Sequence, residues 1–127
     1  MADLGLLILR VSAGLMMLSH GWPKLIEFQN KMDTFPDPIG LGSPIALGLA
    51  VFAEFFCSLL LILGIRTKWA SVPLFITMAV GSLIIHAADP WQKKELALLY
   101  AAVFLTLFFT GGGKYSVGSR LSGWMKE

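Results

Sequence analysis

The stretch IALGLAVFAEFFCSLLLILG, residues 45–64, decides how the rest of the chain is read. It has the length and apolar character of a membrane-spanning helix, which needs roughly 20 such residues. Yet Glu54 stands in its middle. A lone carboxylate in hydrocarbon is costly, so Glu54 requires a partner or a task.

Three further stretches share this character. One runs from Leu4 to about Trp22 and is interrupted by Arg10. Another, Trp69 to Ala88, has no charge apart from a proton that His86 can take up. The last, about residues 95–111, has a shorter apolar part, Leu96 to Thr110. Of the 127 residues 56% are hydrophobic and 14% charged, where soluble domains carry about a quarter charged. Mean hydropathy is +0.73. A soluble bundle needs polar outer faces, and residues 69–88 offer none. The expected fold is all-α, a transmembrane four-helix bundle forming one domain over residues 1–127. A net charge of +2 gives no reason to expect nucleic acid. Cys57, the one cysteine, excludes an internal disulfide and a CxxC pair; packing is its expected role. The first stretch does not read as a secretory signal. It lacks a basic start, holds Arg10 within its apolar part and ends in SHGWPK.

Four spans place both ends of the chain on one side. Arg66, Lys68, Lys114, Arg120 and Lys126 fall there, against Lys24, Lys31, Lys93 and Lys94 opposite. Lys and Arg favour the cytoplasmic side, so both termini are expected in the cytoplasm of a bacterium, with the bundle in its inner membrane. Between the first two spans, Leu25, Phe28, Met32 and Phe35 recur at helical spacing. That pattern predicts a short helix in the membrane interface, stopped at Pro36-Asp37-Pro38. Trp22, Trp69 and Trp91 fall at span ends, where indoles anchor at the headgroups.

Depth along the helices suggests a partner for Glu54. Arg10 lies ten residues before His20, and Glu54 ten after Pro44, each about 15 Å from the same membrane side. An Arg10–Glu54 ion pair is therefore expected, relieving the isolation of both charges. A second polar group gathers nearer the non-cytoplasmic surface: His20 and Lys24, then His86, then Glu95 at the head of the fourth span. Histidine titrates near neutrality and can relay protons, ligate a metal or hydrogen-bond a carbonyl.

These residues also carry a family resemblance. RVSAGLMMLSHGWPKL, AEFFCSLLLILGIRTKWA, His86 before Asp89-Pro90, and ELALLYAAVFLTLFFTGGGKYSVGS together resemble the DoxX-like family of small bacterial membrane proteins. The specific parts are Arg10, His20-Gly21 with Lys24, Glu54, Glu95 with Tyr100, and the GGGKYSV close. Where the family has E-x-x-GG, this chain departs, reading Phe56, Cys57, Ser58 and Leu59 after Phe55. The resemblance implies a four-helix inner-membrane fold. It also implies a link to quinone chemistry, since the family name is tied to the DoxD subunit of thiosulfate:quinone oxidoreductase.

Three functional expectations follow. The first is a redox-associated membrane subunit that contacts quinone and works with a soluble redox partner or as a homo-oligomer; as an enzyme, it would be one subunit of a quinone-linked oxidoreductase. Glu54, His86 and Glu95 would then handle protons, while Arg10, His20, Lys24, Trp22 and Tyr100 would hold the ligand. Nothing would be bound covalently, and no metal is expected. The second is a non-catalytic anchor whose buried charges set helix register. The third is a metal or haem protein with His20 and His86 as axial ligands.

Overall fold

The apolar segments form long helices in the computed structural model, which describes residues 1–120; the tail charge expected at Lys126 lies outside these. Helix α1 spans Ala2–Ile26 and α2 is a single turn, Phe28–Lys31. Helix α3 spans Ser43–Leu63 and α4 spans Thr67–Ile85. Helix α5 spans Trp91–Thr110, and a 3-10 turn follows at Gly118–Arg120. Among the described residues there is no strand.

Helices α1, α3 and α4 are each long and apolar enough to cross a membrane. Helix α5 has 20 residues, but Lys93, Lys94 and Glu95 occupy its start. Its apolar part begins at Leu96 and covers about 22 Å, short of a bilayer core of about 30 Å. It packs along α4, while α1 packs along α3. Side chains such as Ile8, Trp69 and Phe109 point outward and are more than half exposed. Phe104, Leu107, Leu74, Leu61 and Met17 fill the core between the helices.

Two close approaches set how α1 and α3 meet. A methyl group at Gly21 would lie 2.5 Å from the backbone carbonyl of Glu54, so only glycine fits there. Nearer the other end, a methyl at Gly14 would press on the Ile62 side chain. The link between α3 and α4 is tight because Gly64 ends α3 in the left-handed conformation, φ +77°.

Residues near the start of α1 meet residues that follow α5. The Lys114 N–H donates to Asp3 Oδ1 at 3.0 Å, and the Val117 N–H donates to Leu63 O at 2.9 Å. The N-terminus, the α3–α4 link and residues 114–118 therefore share one end of the molecule.

The connector differs from its reading. Leu25 belongs to the last turn of α1, Phe28 to α2, and Met32 and Phe35 to turns beyond it. Pro23 does not end α1, whose helix runs on to Ile26.

Candidate functional site

Glu54 sits in a local widening of α3. Residues Phe52–Cys57 form a π turn, which accommodates one extra residue in the helix. Glu54 is 3% exposed there. Its Oε1 lies 2.6 Å from Nζ of Lys24, which reaches across from the last turn of α1. The Lys24 side chain is 24% exposed, so it reaches the surface while the carboxylate is buried.

This corrects the expected Arg10–Glu54 pair. Arg10 is buried at the opposite end, where its Nη1 donates to Leu61 O at 2.9 Å and to Ile62 O, and its Nη2 to Tyr115 O at 3.3 Å. The reason is register. Gly21, not Arg10, stands beside Glu54. Glu54 lies about 16 Å below the start of α3 but only about 8 Å below the end of α1. Helix α3 therefore overshoots α1, and the connector fills the difference.

That overshoot opens a cavity of about 470 Å³, within the range of small-molecule sites. Its polar lining comes from His20, Lys24, Glu54, His86, Lys93 and Tyr100. The His20 ring meets Tyr100 edge-on with centroids 6.2 Å apart, and Tyr100 in turn stacks on Phe104. Ala46, Ala50 and Ile85 contribute apolar wall. Phe35, Pro36 and Pro38 cover the cavity from the connector. Asp37 holds that cover by accepting from the N–H groups of Leu41, at 2.9 Å, and Gly42, at 2.7 Å.

His86 follows a second π turn, Gly81–Ile85. Its Nδ1 lies 2.6 Å from Oδ2 of Asp89. That hydrogen bond, first, holds the Asp89 carboxyl below its ordinary value; desolvation opposes it, and the nearby charges of Lys93, His86 and Lys94 add smaller lowering effects. Both π turns border the cavity, since Glu54, Gly81 and Ile85 all line it. Such turns recur at functional sites.

Five of the expected residues thus meet at one cavity: His20, Lys24, Glu54, His86 and Tyr100. Three do not. Glu95 is exposed on α5 and absent from the lining. Trp22 is half exposed and packs on Phe55, with ring centroids 6.1 Å apart. Arg10 lies at the far end. Sequence reasoning missed Lys24 as the partner of Glu54, Asp89 as the partner of His86, and Lys93. The i,i+3 spacing of His86 and Asp89 was an available signal for the second of these. Nothing in the sequence announced the π turns. Among the described residues, no three His, Cys, Asp or Glu side chains come together as metal ligands.

The arrangement offers ring and ammonium donors, a phenol, and a buried carboxylate beside an apolar wall. Such a set can donate and accept hydrogen bonds with a polar group seated against that wall.

Comparison with known proteins agrees with a membrane chain of this kind. The family model described as DoxX matches residues 5–87. An uncharacterized protein of Haemophilus influenzae is 32% identical over 122 residues, spanning 91% of this chain and 89% of that protein. The uncharacterized membrane protein Rv3486 of Mycobacterium tuberculosis is 29% identical over 140 residues, spanning 90% of this chain and 79% of its own length. No solved structure matches the chain. With most of its length matched by the family model and by these relatives, the chain belongs to the DoxX family.

Proposed function

We propose that this DoxX protein binds the head group of a membrane quinone in the cavity at Glu54, as a redox-associated subunit. The single supporting observation is that His20, Lys24, Glu54, His86 and Tyr100 line one cavity of about 470 Å³ together with apolar side chains. Four helices and the connector contribute to it. A quinone needs that combination: an apolar slot for the ring, donors for its carbonyl oxygens and a proton route. When bound, quinone supplies two-electron redox chemistry coupled to protons. In this reading His20 and Tyr100 donate to a ring oxygen, and Glu54, paired with Lys24 at Oε1, holds or passes a proton. Lys24, partly exposed, connects that carboxylate to the aqueous side. In this reading Glu95 takes no direct part, and electrons come from a soluble redox partner.

The reading includes a placement. All four long helices cross the bacterial inner membrane, α5 with some local thinning. Residues 27–35 lie at the outer interface, and both chain ends face the cytoplasm beside Arg66, Lys68 and Lys114.

A second reading is a non-catalytic anchor. It is favoured by Gly21 seated on the Glu54 backbone and by the Lys24–Glu54 pair, which together fix α1 against α3. Thermal unfolding in lipid nanodiscs separates the two. A tail-less methylnaphthoquinone raises the melting temperature if it binds only the folded protein, and the rise shrinks in His20→Ala. An unchanged melting temperature at saturating quinone leaves the anchor reading.

A further inference from the structure

The walls of the cavity differ from one side to the other. The side formed by α1 and α5 carries His20 and Lys93, both exposed, beside the half-exposed Leu96. The side formed by α3 and α4 carries Leu49 and Ile76, each 52% exposed although each also lines the cavity. Both residues belong to candidate membrane spans. Leu49 lies about 9 Å along α3 from Ser43, and Ile76 about 14 Å along α4 from Ile85. An opening at that depth meets acyl chains rather than water.

The first half of α3 makes its main contacts with α1 and with its own π turn, not with α4. The two helices join at the tight Gly64–Arg66 link and are held again at the level of the π turn. Above that level they diverge toward the connector, and the cavity fills the divergence. A pocket with a polar floor thus has an apolar rim on its α3–α4 side.

From this geometry, and resting on the quinone reading above, we infer that the cavity takes a tailed amphiphile directly from the bilayer. Its head lies at His20, Lys24 and Glu54, and its tail leaves between Leu49 and Ile76. A ligand reaching the site from water would have no use for an apolar rim at that depth. A tailed ligand with no such gap would have to bury its chain in a cavity of about 470 Å³ that already holds the head. The inferred ligand class is therefore a quinone carrying an isoprenoid tail, which the gap between Leu49 and Ile76 lets out of the cavity.

The test compares two probes with one head: a methylnaphthoquinone with no tail, and the same head bearing a phytyl tail. Each is titrated into the full-length protein in nanodiscs, with concentration counted per lipid so that partitioning cancels. Wild-type protein holds both. In the double variant Leu49→Trp, Ile76→Trp, the indoles close the gap; the tailed probe loses roughly tenfold in affinity and the tail-less probe binds as before. The variant Leu49→Ala, Ile76→Ala keeps the gap open and should bind both like wild type, which separates blocking from misfolding. If the tryptophan variant binds the tailed probe as tightly as wild type, the exit between Leu49 and Ile76 is wrong and the quinone site stands. If neither probe binds wild-type protein, the quinone reading fails and this inference falls with it.

Discussion

Gly21 of α1 rests against the backbone of Glu54 on α3, so closely that a methyl group there would stand 2.5 Å from the Glu54 carbonyl carbon and oxygen. One turn further along α1, Lys24 closes on the Glu54 carboxylate at 2.6 Å. Backbone contact and ion pair thus locate the same residue from two sides, and the cavity takes its floor from them.

Gly21→Ala should therefore cost more than Gly14→Ala. At Gly21 the obstacle is backbone, which yields only if a helix moves. At Gly14 the nearest atom is the end of the Ile62 side chain, 2.6 Å away, which can rotate, with Ser58 O next at 3.2 Å. Overpacking of this kind costs about 1–3 kcal/mol. Urea or thermal unfolding in a fixed detergent should place Gly21→Ala at the upper end and Gly14→Ala at or below the lower one. Equal losses would mean that the Gly21 contact is looser than described.

The ion pair can be measured by a double-mutant cycle. Lys24→Met leaves the Glu54 carboxylate buried without its ammonium, and Glu54→Gln leaves Lys24 facing a neutral amide. Breaking a fully buried pair costs about 3–5 kcal/mol; Lys24 is partly exposed, so about 2–3 kcal/mol is expected for Lys24→Met. The double variant should recover a good part of the loss. The parallel cycle on Arg10→Met and Glu54→Gln should be additive. Coupling in the second cycle but not the first would restore the pairing expected from helix depth.

That earlier expectation shows what the sequence could carry. Hydropathy located α1, α3 and α4, because a membrane span is defined by composition over about 20 residues. It also found Glu54 and the polar group around it, because charge within a span is conspicuous. Register was not legible. Counting 15 Å inward from His20 treated that residue as the membrane edge, whereas α1 continues through Pro23 to Ile26. Small-residue contacts such as Gly21 on Glu54 set the sliding position of two helices, and they depend on both partners at once. The same holds for Glu95. It shares a helix with Tyr100, but only Tyr100 turns into the cavity; five residues is well over one helical turn.

Asp89 should titrate below the ordinary carboxylate value, chiefly because His86 donates to it. A carboxyl whose folded pKa is depressed contributes stability above its unfolded pKa of about 4, and that contribution is lost as pH falls through the folded value. In His86→Ala the main cause is gone, leaving desolvation, which raises the value, against the weaker charges of Lys93 and Lys94. Carbon-13 NMR of the Asp89 carboxyl, labelled selectively in detergent, should show its midpoint rise in that variant. An unchanged midpoint would assign the depression to the lysines.

Orientation can be read by thiol labelling in a Cys57→Ser background. Lys31→Cys should react with an impermeant reagent in intact spheroplasts, and Lys114→Cys only after permeabilisation. The reverse pattern would turn the molecule over and put the mouth with His20 and Lys93 on the cytoplasmic side.

The central claim, that a quinone head sits at the floor made by Lys24 and Glu54, is tested most directly by mapping where a quinone attaches. An azido-methylnaphthoquinone, photolysed with the protein in nanodiscs and followed by peptide mass spectrometry, should mark the cavity segments: residues 17–24 of α1 and 96–100 of α5. Excess unlabelled quinone should suppress those adducts. Adducts confined to outward-facing positions such as Trp69 and Phe109, and insensitive to competitor, would contradict the claim.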